Sequence, residues 1–317
     1  MTTLSHYLLS HLDGHDLQEE LNLIIADVAD VGKKISREVQ RSGLLDLHGS
    51  AGSGTNVHDE EVQKLDERSN GIFRNVLADN EHVVGLASEE EDDIVDVSSG
   101  KQHGFLVAFD PLDGSSNIDI NASVGTIFSV LPGKKTRVED FLQPGIKQVA
   151  GGYVLYGSST VLVFTIGKGV HEFTLDPDSG EFLLTGENIK MPDSAKYVSY
   201  NEANNKKFKA NEARAIQKLF ADGASARYIG ALVADFHRTL LKGGIFLYPE
   251  VAGSDGYKGK LRMQYEVKPL AYLIEQAGGK ALVGNVRAMQ YHSRDLHERV
   301  PFVFGDNKSI EKYVKFK

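Results

Sequence analysis

Two short apolar runs, each followed at once by acidic residues, set the strongest limit on the fold of this chain. The runs are residues 83–87 and 105–109, and carboxylates follow them at Glu89 and Asp110. Apolar runs without alternation suit strands that are buried on both faces, as in sheets covered by helices. The chain is therefore predicted to be an α/β protein. Further strands are expected at residues 125–131, 152–156, 161–166, 170–175, 181–184, 197–200 and 245–248.

Helical periodicity accompanies these strands. Apolar residues recur at helical spacing over 17–39, with Asp16 as a candidate N-cap, and a second helix is predicted over 60–78. The pattern restarts after Pro192, which predicts two packed halves, residues 1–190 and residues 191–317. Helices in the second half are predicted over 211–221, 231–241 and 267–276.

The composition excludes several classes of function. Asp and Glu outnumber Lys and Arg by 44 to 35, and the formal charge of −9 is a poor match for nucleic acid or an anionic membrane. The chain has no cysteine, so disulfides, thiolate nucleophiles and zinc-thiolate sites are excluded. No signal peptide and no run of ~18 apolar residues is visible, so a cytoplasmic protein is expected.

The segment at residues 110–117, Asp-Pro-Leu-Asp-Gly-Ser-Ser-Asn, directly follows the second apolar run. Pro111 cannot donate to a strand ladder, so the chain is expected to leave the sheet after Asp110. Asp110 and Asp113 can then converge on one Mg²⁺, which prefers one or two carboxylates completed by water and phosphate oxygens. The main-chain amides that follow can form an adjacent anion-binding turn. They belong to Gly114, Ser115 and Ser116.

A second acidic pair, Glu89 and Glu90, ends the first apolar run. Functional residues of open α/β sheets gather at the carboxyl ends of strands, so the two acidic strand ends are expected to meet. Glu89, Asp110 and Asp113 would then surround the metal. The acidic residues 91–93 are expected to form a solvated loop instead.

Other candidate signals are weaker. Residues 49–56 are rich in Gly and Ser and are expected to be a loop, but they lack the lysine of a Walker phosphate loop. The histidines with no ligand spacing are expected to be structural. These are His171, His237, His292 and His297.

Several segments together resemble class I fructose-1,6-bisphosphatase. They extend in matching order and spacing over nearly all of the chain from about residue 43 onward, and the Asp-Pro-Leu-Asp-Gly element also occurs in the wider lithium-sensitive phosphatase superfamily. The segments are residues 56–66, 88–90, 110–117, 230–249 and 260–266. The resemblance implies a layered α-β-α-β-α sandwich with the sugar phosphatase fold. It also implies a homotetramer that uses Mg²⁺, or Mn²⁺ as a substitute, to hydrolyse the 1-phosphate of fructose 1,6-bisphosphate.

Matching motifs carry the roles of individual residues onto this chain. The metal ligands correspond to Glu89, Asp110, Asp113, Glu266 and the Leu112 carbonyl. The 1-phosphate site corresponds to Asp113, Gly114, Ser115, Ser116 and Arg262. The sugar and 6-phosphate contacts correspond to Asn201, Tyr228, Tyr248 and Lys260.

Four more residues match the family's motifs. Arg227 matches an arginine that reaches into the neighbouring subunit's site. Glu90 and Asp66 resemble the pair that activates the attacking water, and Glu60 takes the place of a mobile-loop carboxylate. A carboxylate near like charges has a raised pKa, which suits Glu90 to accept a proton.

The chain also departs from this family. Gly104 and Phe105 stand where many members have Lys-Tyr, and Pro132 replaces a basic residue. All three positions belong to the family's AMP-binding site, so a weak or absent response to AMP is expected. Asn204 replaces a tyrosine that contacts the 6-phosphate in animal members, which weakens one contact.

Three alternative functions fit the sequence less well. A sedoheptulose-1,7-bisphosphatase, or an enzyme for both substrates, is the nearest, although the plastid enzymes use cysteine-based redox control that this chain cannot have. An inositol-type phosphatase fits the residues at 260–262 less well. A sugar-phosphate-binding regulator without catalysis would not need the four carboxylates of the implied metal site.

Overall fold

The computed structural model describes residues 1–10, 16–45, 50–55, 61–101, 103–134 and 136–317. The helices are α1 (Leu4–Ser10), α2 (Asp16–Arg41), α3 (Lys64–Ala78), α4 (Val138–Phe141), α5 (Ala210–Ala221), α6 (Leu232–Lys242), α7 (Lys268–Gln276) and α8 (Asn307–Phe316). A π-helical turn, Met263–Val267, directly precedes α7.

The strands fall into an N-terminal group and a C-terminal group, and the individual strands of the first group are mostly longer. The first group is β1 (Ser50–Thr55), β2 (Glu61–Gln63), β3 (Val83–Ser88), β4 (Val95–Asp96), β5 (Gly104–Asp113), β6 (Val124–Gly133), β7 (Ala150–Tyr156), β8 (Thr160–Thr165), β9 (His171–Leu175) and β10 (Phe182–Gly186). The second group is β11 (Tyr197–Ser199), β12 (Ser225–Ala226), β13 (Ile245–Tyr248), β14 (Val251–Gly253), β15 (Gly256–Lys258), β16 (Leu261–Arg262), β17 (Lys280–Val283), β18 (Val286–Arg287), β19 (Arg299–Val300) and β20 (Phe302–Gly305).

Most of these strands join two sheets. In the described part of the chain, eight strands form the first sheet in the order β10-β9-β8-β7-β6-β5-β3-β4. Its pairs are antiparallel except β3 and β5, which run parallel. Six strands form the second sheet in the order β12-β11-β13-β20-β17-β18. The parallel pair in the first sheet is what places two carboxyl ends side by side.

Layers of helices alternate with the two sheets, and apolar clusters fill the space between them. α1, α2 and α3 pack on the first sheet through residues that include Ile25 and Phe73. α6 and α7 lie between the two sheets and bury residues such as Phe236 and Ile274. α5 and α8 cover the other face of the second sheet, where Tyr313 is buried. The order of layers is therefore α-β-α-β-α, which confirms the predicted fold class.

The element boundaries between residues 49 and 78 needed two corrections. The helix predicted over 60–78 begins at Lys64, because residues Glu61–Gln63 are extended and pair with β1. The predicted Gly- and Ser-rich loop was wrong for Ser50–Thr55, which form the partner strand of that hairpin. Small side chains favour a loop on composition alone, but they do not prevent strand pairing once a partner strand lies alongside.

Candidate active site

The carboxyl ends of β3 and β5 lie next to each other. Ser88 is aligned with Phe109, and the amide of Glu89 donates to the Phe109 carbonyl oxygen at 3.1 Å. The next residues along the two strands are Glu89 and Asp110, so both carboxylates emerge at one edge of the sheet. Their proximity also contributes to the raised pKa of Asp110.

Pro111 does not end β5, contrary to the prediction, because the strand continues to Asp113. Pro111 interrupts the ladder instead. Asp110 pairs with Ile127 and Asp113 pairs with Gly125, so β5 has one residue more than β6 between these pairs. An extra residue of this kind bends a strand and changes the direction of its side chains. The bulge therefore brings two carboxylates to one edge without breaking the strand.

Asp110, Asp113 and Glu266 form a buried cluster in which one oxygen from each carboxylate lies within 4.8 Å of the others. Glu266 comes from the π-helical turn, and its Oε2 accepts a hydrogen bond from the amide of Arg262 at 2.5 Å. Burial, followed by the charge of Glu89, raises the pKa of both Asp110 and Glu266 well above their ordinary values. Three crowded buried carboxylates favour binding of protons or of a cation.

Asp113 is held by the first turn of α6. The amides of Leu232 and Val233 donate to its two carboxylate oxygens at 3.2 and 2.7 Å. Burial raises the pKa of Asp113 to about 6, although these two hydrogen bonds act in the opposite direction. The side chain is thus fixed by main-chain donors from the other half of the protein.

Gly114 allows the chain to turn directly after Asp113. Its φ of 77° lies in the left-handed region, and a Cβ at this position would lie 2.7 Å from the Cβ of Ala231. A 3₁₀ turn, Ser115–Asn117, follows. The first amides of a helical turn have no carbonyl partner inside it and can bind an anion. The amides assigned to phosphate, which begin at Gly114, therefore follow Asp113 of the carboxylate cluster directly.

Arg262 is a buried cation beside the carboxylates. Its Nε donates to Oε1 of Glu89 at 3.0 Å, and only 3% of its side chain is exposed. Its charge acts against the rise in the pKa of Glu266. Lys260, two residues earlier, is exposed. Of these two basic residues, Arg262 is therefore the one that partly balances the buried negative charge.

Three of the residues assigned to the sugar lie together near the cluster. The side chain of Asn201 lies close enough to the hydroxyl of Tyr228 to lower its pKa, against the larger effect of burial. Burial, with the nearby Tyr228, raises the pKa of Tyr248 to about 12. Asp113 also raises the pKa of both tyrosines, so this group lies beside the carboxylate cluster. Arg227 is exposed, and its guanidinium lies 5.6 Å from the centroid of the Tyr197 ring.

Of the three residues assigned to water activation, Glu90 and Asp66 lie within the described part of the chain. Glu90 is half-buried, its amide donates to Oγ of Ser88 at 3.2 Å, and its charge contributes to the raised pKa of Asp110. Asp66 lies in the first turn of α3, with 4% of its surface exposed. Glu60 lies outside the described residues.

The support that α6 provides to Asp113 was not predicted from the sequence. Leu232 and Val233 were treated as ordinary helix residues, yet their amides hold Asp113. Asp235 was also given no role, although its side chain is fully buried. A signal was present, because an acidic residue that interrupts the apolar face of a predicted helix must find partners when buried.

A buried carboxylate cluster at strand ends, a neighbouring turn of main-chain amides and an α-β-α-β-α fold define a metal-dependent sugar phosphatase. Comparison with known families agrees with this class. A model of the fructose-1,6-bisphosphatase N-terminal domain matches residues 2–187, and a model of the C-terminal domain matches residues 191–317. The chain belongs to the class 1 fructose-1,6-bisphosphatase family, whose members depend on divalent metal.

Individual relatives match over almost their full length. The chain is 46% identical to the class 1 fructose-1,6-bisphosphatase of Persephonella marina over 297 residues, which cover 93% of this chain and 92% of that protein. The class 1 enzyme of Chloroherpeton thalassium is 46% identical over 327 aligned residues, covering 100% and 93%. The holo form of Leishmania major fructose-1,6-bisphosphatase superposes with a TM-score of 0.92 at 39% identity, covering 99% and 98%.

No helix within the described ranges combines the length and the apolar character that crossing a bilayer requires.

Proposed function

We propose that the carboxylate cluster binds Mg²⁺ and that the chain hydrolyses the 1-phosphate of fructose 1,6-bisphosphate, giving fructose 6-phosphate and phosphate in gluconeogenesis. The observation that carries this proposal is the buried cluster of Asp110, Asp113 and Glu266. Membership of the fructose-1,6-bisphosphatase family supports the reaction and the substrate.

The side chains at this site fit a hard divalent cation. Three carboxylates meet within 4.8 Å, all of them buried, and oxygen ligands of this kind suit Mg²⁺ and Mn²⁺. Their charges repel one another in a site with little water, as the raised pKa values of Asp110 and Glu266 indicate. A cation removes this repulsion. We assign Glu89 and the carbonyl of Leu112 to the same ligand set.

The chain's own residues can then be given roles in the reaction. Divalent cations supply positive charge to the phosphoryl oxygens and to the leaving oxygen when bound. The amides that follow Asp113 orient the 1-phosphate, together with the Arg262 guanidinium. Glu90, paired with Asp66, accepts the proton of the attacking water, since a carboxylate within reach of that water can act as a general base. Glu60 completes this proposal as a further carboxylate that acts in catalysis.

The second phosphate and the sugar are assigned to a separate group of side chains. These are Asn201, Tyr228, Tyr248 and Lys260. The charge of Asp113 contributes to raising the pKa of both tyrosines, which supports placing the sugar next to the metal cluster. Arg227, which is exposed, is proposed to reach the site of a neighbouring subunit in a homotetramer. A cytoplasmic location is part of the same proposal.

A substrate panel tests the proposal. Phosphate release is measured from fructose 1,6-bisphosphate, sedoheptulose 1,7-bisphosphate and inositol 1-phosphate in the presence of Mg²⁺. We expect the highest kcat/KM for the fructose ester. A clear preference for sedoheptulose 1,7-bisphosphate would assign the enzyme to the alternative substrate, and preference for inositol 1-phosphate would overturn the proposed sugar site.

A further inference from the structure

The segment at residues 227–230 carries two of the proposed substrate contacts but contains no buried residue. All four of its residues are exposed, including Tyr228 and Ile229, which are 41% and 44% exposed. Exposed loops without apolar packing normally sample many conformations. Something other than hydrophobic burial must therefore fix the direction of Arg227 and Tyr228.

The side chain of Asp235 lies beneath this segment and is fully buried. Ile229 donates its amide to both carboxylate oxygens at 3.1 and 3.0 Å, and Gly230 donates to Oδ2 at 3.0 Å. Ser199, at the end of β11, donates its hydroxyl to Oδ1 at 2.8 Å. Three donor groups, two amides and one hydroxyl, thus surround the Asp235 carboxylate, and Arg238 adds a fourth.

Arg238 extends the same network to the start of the segment. Its Nη2 donates to Oδ1 of Asp235 at 2.7 Å and to the carbonyl oxygen of Arg227 at 3.0 Å. The amide of Arg227 donates in turn to the carbonyl oxygen of Val198 at 2.9 Å. Both ends of the segment are therefore attached, directly or through one guanidinium, to a single carboxylate.

The location of Asp235 on α6 links the segment to the metal cluster. The first turn of the same helix holds Asp113 through the amides of Leu232 and Val233. Two residues further on, Asp235 holds the segment. One helix end therefore sets the distance between a proposed metal ligand and the proposed sugar contacts.

We propose that Asp235 is a positioning residue for recognition of the sugar and its second phosphate, acting by holding the backbone of residues 227–230 so that Tyr228 faces the substrate of its own site and Arg227 faces that of the neighbouring subunit. The proposal rests on the substrate role of these two residues given above. Asp235 itself contacts no substrate. Its loss is therefore expected to affect binding of the sugar phosphate, while the site for inorganic phosphate next to Asp113 is retained.

The test measures the dissociation constants of fructose 6-phosphate and of inorganic phosphate by calorimetry, with Mg²⁺ present, for wild type, Asp235→Asn and Thr239→Val. Thr239 is the matched control, because it is buried on the same helix and donates to the backbone carbonyl of Asp235, not to the carboxylate. Removing a hydrogen-bonded buried charge is expected to weaken fructose 6-phosphate binding about tenfold or more. Phosphate binding by Asp235→Asn, and both constants of Thr239→Val, should stay close to wild type.

Arg238→Gln provides a second variant if Asp235→Asn does not fold. It should also weaken fructose 6-phosphate binding, but by a smaller factor. Equal weakening of both ligands, or no change in either, would overturn the positioning role. Arg227→Ala and Tyr228→Phe separate this outcome from failure of the proposed site. If these two variants weaken fructose 6-phosphate binding and Asp235→Asn does not, only the positioning role is wrong. If they too bind it normally, the sugar site itself is wrong.

Discussion

Oδ2 of Asp113 accepts a hydrogen bond from the backbone amide of Val233 at 2.7 Å. The two residues belong to adjacent layers, since Asp113 ends β5 in the first sheet and Val233 lies in the first turn of α6. This bond orients a proposed metal ligand by means of a helix end, where amide donors and the helix dipole favour a negative charge. The geometry of the metal site therefore depends on how the two halves of the chain pack.

Glu90→Gln should lower kcat by about two orders of magnitude and leave KM nearly unchanged, because its proposed task is proton transfer and not binding. Steady-state kinetics with fructose 1,6-bisphosphate measure both constants. Glu91→Gln is the matched control, since Glu91 is bonded to Asn70 and Arg74 on α3 and has no proposed catalytic role. A raised KM with an unchanged kcat would assign Glu90 to binding.

Metal binding should stabilise the protein more at high pH than at low pH. Burial raises the pKa of Asp113 from 3.8 to about 6, so across this interval the folded state binds more protons than the unfolded state. Stability without metal therefore falls as pH rises through that window, and the raised pKa values of Asp110 and Glu266 act in the same direction. A cation that replaces the protons restores this loss.

The corresponding measurement is the melting temperature with Mg²⁺ and with a chelator, at about pH 5 and about pH 8. The increase caused by Mg²⁺ should be several degrees larger at the higher pH. Asp110→Asn should show a much smaller increase at either pH. An increase that does not depend on pH, or that is larger at the lower pH, would contradict the assignment of these carboxylates to the metal.

Arg227 should act across a subunit boundary. Hybrid oligomers made from Arg227→Ala chains and Asp110→Asn chains should regain activity, because some sites then combine Asp110 from one chain with Arg227 from another. Each mutant is first assayed alone and then after mixing, dissociation and reassembly. Hybrids that never exceed the activity of the separate mutants would remove the support for a shared site.

AMP should inhibit this enzyme weakly or not at all. Phe105 pairs with Pro132 across β5 and β6. Together with Gly104, they line a cavity of about 840 Å³ that does not include the cluster of Asp110, Asp113 and Glu266. None of the three offers a charged or hydroxyl donor to a nucleotide phosphate. Losing two or three such contacts, at roughly 1.5–3 kcal/mol each, weakens binding by several orders of magnitude.

Lys33, Lys34 and Arg37 on α2 are the candidates to replace these contacts, but none of them lines the cavity. Nζ of Lys33 lies 4.0 Å from Glu181, and Nζ of Lys34 lies 2.8 Å from Asp30. Lys134 and Lys168 do line it, so Lys168→Ala is the informative variant. AMP is titrated against activity at sub-saturating fructose 1,6-bisphosphate. Micromolar inhibition that Lys168→Ala abolishes would show that the cavity binds AMP through different residues.

Much of the fold could be predicted from local patterns in the sequence. The apolar runs that became β3 and β5 were visible because strands covered on both faces leave no polar positions. The helical repeat of α2 was visible because one side of it is buried against the first sheet. These elements depend on residues that are adjacent or a few positions apart in the chain, so one sequence is sufficient to find them.

The support of the site could not be predicted in the same way. Asp113 and Val233 are separated by 120 residues, and no local pattern indicates that the amide of one meets the carboxylate of the other. Pro111 was expected to end β5 because it cannot donate, but a bulge accommodates the missing donor and the strand continues. The start of α3 was misplaced because pairing between β1 and β2 overrides helix propensity.

The most direct test of the central claim is phosphate release from fructose 1,6-bisphosphate by wild type, Asp110→Asn and the control variant Asp93→Asn, each with saturating Mg²⁺ and with a chelator. Asp110 is buried in the carboxylate cluster, whereas Asp93 is exposed. Wild type and Asp93→Asn should hydrolyse the substrate only with Mg²⁺. Asp110→Asn should lose roughly three orders of magnitude in kcat, since a buried charged ligand contributes several kcal/mol to stabilising the transition state. Near-normal turnover by Asp110→Asn, or wild-type turnover that persists in the chelator, would contradict the account.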